Sequence, residues 1–234
     1  MTEFPFVDNE AGYSVLRRQN LFCIVSDAVC EHISRQLGLT FGSLKSVVTF
    51  LSNDLSSHPF REKKKRILPR DLATRVGEAV WRELPFPSGS FVSDEEALGY
   101  ANYYWRAVRP GFTEDVGPVH ADRWFWDLGN GEISGAYRRV KCWMPLVMSD
   151  IACGLLTAPG SHRTQYQYSS QVAADGKRKP VFDARENGLE LHDAPITIGE
   201  LILFHDDLLH GGRSTDAYRL SFEFTVVIST DQLA

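Results

Sequence analysis

The apolar run near the end of the chain, "YRLSFEFTVVI" (218–228), constrains the fold more than any other stretch. In an extended chain successive side chains point to opposite faces, so Leu220, Phe222, Phe224, Val226 and Ile228 share one face while Arg219, Ser221, Glu223 and Thr225 share the other. That period of two marks a strand with one buried face. An arginine and a serine on the polar side of such a strand need water, a partner or a ligand. The same texture begins after Pro110, with short β-like runs at 118–126, 133–147, 153–158, 164–168 and 196–204 separated by turn residues. Strands in this rhythm, with no helical patterns alternating between them, predict a sandwich or barrel rather than a parallel α/β sheet.

The first hundred residues read mainly as helices. "SDAVCEHISRQLG" (26–38) opens on a capping serine and closes on Gly38, and "DLATRVGEAVWREL" (71–84) repeats apolar residues at helical spacing. "SDEEALGYANYYWRAV" (93–108) has the spacing of a capping box, with Ser93 at the cap and Glu96 three residues on. "SVVTFL" (46–51) reads as a strand. The 234 residues are expected to form one domain, with a helical part over about 1–110 packed on a β core over about 111–230.

Bulk properties narrow the function. A net charge of −5 argues against nucleic-acid binding, which favours a basic face. The basic run Arg61–Arg66 reads as a solvated surface. Cys23, Cys30, Cys142 and Cys153 form no CxxC pattern and no disulfide framework. The acidic start "MTEFPFVDNE" lacks the features of a secretory signal, and no apolar stretch has the length of a membrane span. These features predict a cytoplasmic protein with neither nucleic-acid nor membrane partners.

Chemistry concentrates in two places. "GPVHADRWFWD" (117–127) sets His120 and Asp122 two apart, which on a strand directs imidazole and carboxylate to one point. That pair is either a surface hydrogen-bonded couple or two thirds of a metal site. Downstream, "GELILFHDDLLHGGRSTDAYRLSFEF" (199–224) offers His205 and His210, the latter before Gly211-Gly212, which are expected to turn the chain sharply. His120, Asp122 and His210 form, in order, the two-histidine, one-carboxylate set that holds non-haem Fe(II) with open positions. Arg219 follows with the planar fork that binds a carboxylate.

With these residues the chain resembles the Fe(II)/2-oxoglutarate-dependent dioxygenases, and more narrowly their phytanoyl-CoA dioxygenase-like branch. "VKCWMPL" (140–146) looks like that branch's central strand, "CGLLTAPGSHR" (153–163) is similar to its Gly-x-Leu-x-x-x-Pro-Gly-Ser-His stretch, and "IGELILFHDDLLHGG" resembles its strand into the distal histidine. The resemblance covers about 118–228. It implies a double-stranded β-helix, a jelly-roll or cupin-like core, with metal ligands at one mouth. It further implies Fe(II), 2-oxoglutarate and O2, with succinate and carbon dioxide as products. Arg219 and Ser221 would hold the far carboxylate of 2-oxoglutarate, with Trp143 near it and Lys141 a further contact. The spacing from His210 to Arg219 is shorter than this branch usually has, and Arg213 is the rival anchor. Asp122 as a carboxylate ligand favours hydroxylation over halogenation.

The expected substrate is a small polar metabolite, sugar or natural-product intermediate, contacted by Trp124, Trp126 and Arg139. Desaturation or cyclisation, hydroxylation of an acyl-CoA, nucleic-acid repair, another cupin-like metal protein and a non-catalytic jelly roll remain as alternatives. Arg139 and Lys141 share a face with Trp143, so each points into the barrel or lies on its rim. His205 reads as a core or supporting histidine, and His162 as a residue that stabilises its loop.

Overall fold

The computed structural model describes residues 6–53, 62–130, 136–148, 154–173, 176–213, 216 and 218–232. In chain order the elements are β1 (Tyr13–Arg17), α1 (Gln19–Leu37), α2 (Leu44–Asn53), α3 (Arg70–Glu83), β2 (Phe91–Val92), β3 (Tyr104–Val108) and α4 (Asp122–Asp127). They continue with β4 (Tyr137–Val147), β5 (Leu155–Thr157), β6 (Ser169–Val172), β7 (Arg178–Val181), β8 (His192–Asp193), β9 (Glu200–His205), β10 (His210–Gly212) and β11 (Arg219–Ser229). The protein is mainly β. A six-stranded antiparallel sheet runs β1-β9-β4-β11-β2, with β3 also paired to β11, and a smaller antiparallel sheet runs β10-β5-β8. A hairpin of β6 and β7 stands beside them.

β11 behaves as its alternation requires. Leu220, Phe222, Phe224, Val226 and Ile228 join Val140, Cys142, Met144 and Leu146 of β4 and Leu201 and Leu203 of β9 in one buried cluster with the helices. The helices reach it through stripes at helical spacing: Leu21, Val25, Val29 and Ile33 of α1, and Leu72, Val76 and Val80 of α3. The opposite face of the large sheet carries Trp143, Ile202 and Phe204, which meet Leu155 of the small sheet and Ala194 and Ile196 beside it. The two sheets therefore enclose an interior of their own.

Four expectations fail. Residues 46–51 lie in α2, where Leu44, Val47 and Leu51 face the core and the Ser43 hydroxyl oxygen accepts the Ser46 amide. Burial at helical spacing overrides the β-branched preference there. Residues 93–108 are not a helix: Asp94 accepts the amides of Leu98 and Gly99, Gly99 takes φ 78°, and Tyr104–Val108 pairs with β11. Residues 118–126 contain one bridge at His120 followed by α4, and 164–168 contains no strand, the extended segment beginning at Ser169. Elsewhere the boundaries shift. α1 begins at Gln19 rather than near Ser26, and β1, an edge strand on β9, is unanticipated. β4, β5 and β9 fall within or next to their expected runs; 133–135 and Cys153 lie outside the described residues. Among the described residues no helix is long and apolar enough to cross a membrane.

The seam between helices and sheet contains a polar pair. His32 of α1 is buried, and its Nδ1 accepts the indole N–H of Trp105 at 3.2 Å. Burial, reinforced by Arg35, pulls its pKa down to about 4. Folding thus favours the neutral ring, so the unfolded chain takes up a proton below about 6.5 that the folded protein refuses until about 4. Stability drains as pH falls through that window. Between pH 7.5 and 5.0, wild type should lose about 2 kcal/mol more than His32→Gln in urea unfolding; equal losses would show that His32 is not the group responsible.

Candidate metal and co-substrate site

His120, Asp122 and His210 converge, with their ligand atoms all within 4.8 Å of one another. His120 and His210 face each other as an antiparallel bridge, each backbone amide donating to the other's carbonyl at 2.9 Å. Their rings lie 4.5 Å apart, centroid to centroid. Asp122 opens α4, and its Oδ1 lies 3.6 Å from His120 Nε2 and 3.9 Å from His210 Nε2. The Asp122–His120 convergence anticipated for a strand is achieved instead by a bridge that runs directly into a helix.

The backbone also settles which ring nitrogens face the centre. His120 Nδ1 donates to the Pro118 carbonyl at 2.7 Å and His210 Nδ1 to the Leu208 carbonyl at 2.9 Å. Both Nε2 lone pairs are thereby turned inward, the arrangement that fixes the tautomer of a metal-binding histidine. Burial, with His120 alongside, lowers His210 to about 4 and keeps it neutral. Burial works against ionisation of Asp122, but Lys141, His210 and His120 together outweigh it and hold the carboxyl far below its usual range. Asp122 Oδ2 is buried with no hydrogen-bond partner. Two imidazoles with inward-facing Nε2 atoms and a carboxylate with an unused buried oxygen fit a divalent first-row metal bound on one face.

Supporting residues fix His210. The Leu209 amide donates to Ser161 Oγ at 2.9 Å, and the Ala158 amide to the Leu209 carbonyl at 2.9 Å. The "PGSH" stretch thus braces the distal histidine. His162 supports its loop, with Nε2 3.2 Å from the Asn9 carbonyl oxygen. Gly211 and Gly212 do not turn the chain; they continue β10. A Cβ at Gly212 would sit 2.9 Å from Val116, so glycine here admits the 116–119 segment against the strand.

The inner face of β11 presents the remaining candidates. Arg219 is buried, its Nη1 donates to the Gly154 carbonyl at 2.7 Å, and its guanidinium lies 5.8 Å from the centre of the Trp143 ring. Ser221 Oγ is buried without a hydrogen-bond partner. Arg213 is engaged elsewhere, forked onto Asp193 at 3.0 and 2.8 Å on the surface. Lys141 points inward, with Nζ 3.8 Å from Glu223. Burial opposes its charge, but Glu223 and Asp122 overcome this and hold the ammonium protonated.

α4 separates the tryptophans that a strand would have aligned. Trp126 lies one helical turn from Asp122 and therefore on its side of the helix, and the Arg139 guanidinium stacks on its ring at 3.4 Å. Trp124 faces away, stacked 4.5 Å from Tyr168 and 5.2 Å from Phe182 in an apolar cluster. The structure places it in that cluster rather than on the side of α4 that carries Asp122 and Trp126, where the expected strand would have put it. Phe125, between the two tryptophans, stands edge-on to His120 at 5.0 Å, and Phe204, which sequence reasoning missed, lies 4.6 Å from His210. Sequence reasoning also missed Glu95, whose Oε1 accepts the Thr225 hydroxyl at 2.8 Å. Nothing local in the sequence marks Glu95 as facing the interior.

A second cluster, His205, Asp206 and Asp207, also gathers ligand-type atoms. Arg138 fills it: Nη2 donates to Asp206 at 2.6 Å and to Asp207 at 3.2 Å, and lies 3.2 Å from His205 Nε2. A guanidinium occupies the place a metal would take.

The sequence profile of the phytanoyl-CoA dioxygenase (PhyH) family matches residues 54–221. No curated protein matches the chain in sequence. Among solved structures, the non-heme monooxygenase ThoJ in its apo form is 16% identical, with 95% of this chain and 77% of that one covered at a TM-score of 0.50. EctD from S. alaskensis, solved with 2-oxoglutarate and 5-hydroxyectoine, is 16% identical over 93% of this chain and 72% of its own, with a TM-score of 0.49. EvdMO1 is 14% identical with a TM-score of 0.49; 93% of this chain covers 47% of that one, less than half its length. At this identity the likeness to ThoJ is one of fold.

An anaerobic Fe(II) titration should give one site in wild type and in His205→Ala, and none in His120→Ala, Asp122→Ala or His210→Ala. Loss of the site in His205→Ala with retention in His210→Ala would exchange the two histidines.

Proposed function

Because the chain belongs to the phytanoyl-CoA dioxygenase family, a branch of the 2-oxoglutarate-dependent non-haem iron oxygenases, we propose that it hydroxylates a small polar metabolite at an iron held by His120, Asp122 and His210. The observation that carries this reading is the Asp122 carboxylate, whose Oδ1 lies 3.6 and 3.9 Å from the two inward-facing Nε2 atoms while its Oδ2 is buried and unpartnered. The strand order supports reading the two sheets as a double-stranded β-helix: β3-β11-β4-β9 on one side, and the His120 bridge, β10, β5 and β8 on the other. When bound, iron with 2-oxoglutarate and O2 supplies the oxidation, yielding succinate and carbon dioxide alongside the oxidised substrate.

The chain's own residues set the geometry. Arg219 offers a guanidinium and Ser221 a buried hydroxyl to the far carboxylate of 2-oxoglutarate, with Trp143 as a flat wall beside them. The inner face beyond Trp143 carries Lys141, Glu223, Thr225 and Arg139, a lining suited to polar groups and hostile to an acyl chain. Asp122 keeps a carboxylate where a halogenating centre would need room for a halide, which favours hydroxylation.

Removing one partner of a buried arginine–carboxylate pair costs about 3–5 kcal/mol, or two orders of magnitude and more in affinity. Arg219→Ala should raise the 2-oxoglutarate requirement by at least that factor in a succinate-release assay, and Arg213→Ala should leave it unchanged. The reverse outcome would move the anchor to Arg213. A visible charge-transfer band on adding 2-oxoglutarate to the anaerobic Fe(II) protein tests the reading as a whole; its absence would overturn it.

A further inference from the structure

Among the described residues, Arg139 stands on the inner face without a role at the metal or at 2-oxoglutarate. It is 4% exposed, and its Nε and Nη1 are buried with no hydrogen-bond partner. Glu95, Asp206 and Asp122 act on it only through space, and burial pulls its pKa down to about 10. What it does touch is the face of Trp126, at 3.4 Å. The attraction of a cation to an indole face does not offset burial of a guanidinium whose Nε and Nη1 lack acceptors. The fork is complete only when a ligand brings paired oxygens to it.

Its position says which ligand. Arg139 pairs across the sheet with Val227, eight residues along β11 from Arg219, so about 26 Å of strand separates the two arginines. A five-carbon keto acid anchored at Arg219 cannot also reach Arg139. Trp126 stands one turn of α4 from Asp122, and Arg139 stands two residues from Lys141, the cation that acts most strongly on Asp122. Arg139 and Trp126 therefore flank the metal triad on the side away from Arg219.

We propose that Arg139, stacked on Trp126, is an oxyanion subsite: the substrate carries a carboxylate or phosphate that seats on the Arg139 fork while its carbon skeleton extends toward the triad. This rests on the oxygenase reading above. Lys141 does not compete for the anion, being already paired with Glu223.

The test has two independent arms. In the first, binding of inorganic phosphate and of acetate is followed by tryptophan fluorescence in wild type, Arg139→Gln and Arg139→Lys. At least roughly tenfold weaker binding is expected in Arg139→Gln, with Arg139→Lys between, since an ammonium keeps the charge and loses the fork. Thermal melting of Arg139→Gln should match or exceed wild type, because the variant removes an unpaired buried charge, so a folding defect would not mimic the loss. Equal affinity in wild type and Arg139→Gln overturns the subsite. In the second arm, iron-loaded protein with 2-oxoglutarate is offered matched pairs: carboxylic acids with their amides, and phosphomonoesters with their parent alcohols. Stimulated succinate release is expected only from ionised members, and the two sets of pairs distinguish carboxylate from phosphate. Equal stimulation by the neutral members overturns the subsite. The anaerobic charge-transfer band with 2-oxoglutarate should be the same in Arg139→Gln as in wild type. A wild type without the band fails the oxygenase reading while the phosphate arm still reports on Arg139; a band lost only in Arg139→Gln would make it a 2-oxoglutarate contact instead.

Discussion

The reciprocal pair of backbone hydrogen bonds between His120 and His210 is the constraint on which the site depends. Two residues that exchange both amide–carbonyl contacts in an antiparallel bridge hold their Cα atoms about 5.5 Å apart with side chains on the same face. The imidazoles are therefore brought together by the main chain, at 2.9 Å in each direction, rather than by a bound ion. Everything around the bridge serves to keep it. Gly212 admits the Val116 side of the incoming segment, Ser161 holds the Leu209 amide, and α4 starts at once so that Asp122 swings under both rings. A site assembled this way has its ligand-type atoms gathered by the main chain, with no ion needed to draw them together.

The second organising fact is that β4 and β11 have two unlike faces. Their outer face is apolar and covered by α1, α2 and α3; their inner face carries Arg139, Lys141, Arg219, Ser221 and Glu223. Enclosing those charges does not serve stability. A buried ion pair such as Lys141–Glu223 gains about as much by attraction as it loses by desolvation, and apolar residues of similar volume would fold as well. Hydrophobic burial of the outer face stabilises the sheet, which leaves the inner face free to be polar.

What could be read beforehand follows the same division. The alternation of 218–228 is a one-strand pattern with nothing competing locally, and both its faces lie where the spacing puts them. The meeting of His120, Asp122 and His210 and the shared inner face of Arg219 and Ser221 could be anticipated because these residue types are rare in that order. The reason given for His120 and Asp122 was nevertheless wrong. A strand from 118 to 126 would align Asp122, Trp124 and Trp126, whereas the six-residue helix keeps Asp122 with Trp126 and sends Trp124 to Tyr168 and Phe182. Six residues are too few for periodicity to decide. Residues 93–108 misled for a different reason: the Ser93–Glu96 spacing mimics a cap, while pairing of 104–108 with β11, a long-range contact, determines the outcome. β1 escaped because five residues on a sheet edge carry little pattern of their own.

The N-terminal part is more than a cover for the outer face. Lys63, Glu95, Glu96 and Tyr104 come from it and stand over the inner face: Lys63 Nζ lies 2.8 Å from Glu96, 3.6 Å from Glu95 and 4.8 Å from the Tyr104 ring centre. Lys63 is half exposed, so these pairs add little to stability. The wall is positioned instead by the main chain: the Ser93 amide donates to the Thr225 carbonyl at 2.9 Å, the Asn102 amide to the Ser93 carbonyl at 3.0 Å, and the Leu68 amide to the Tyr103 carbonyl at 2.9 Å. Asp94 closes the loop by accepting the Leu98 amide at 2.8 Å and the Asn102 side-chain amide at 2.9 Å. Backbone contacts thus hold the loop, while the side chain at 95 ties it to β11 through the Thr225 hydroxyl. The triad and the Arg219 end are built by residues 116–222, and this wall by residues 63–106. The two are joined through β11, which pairs with β3 along one edge and with β4 along the other.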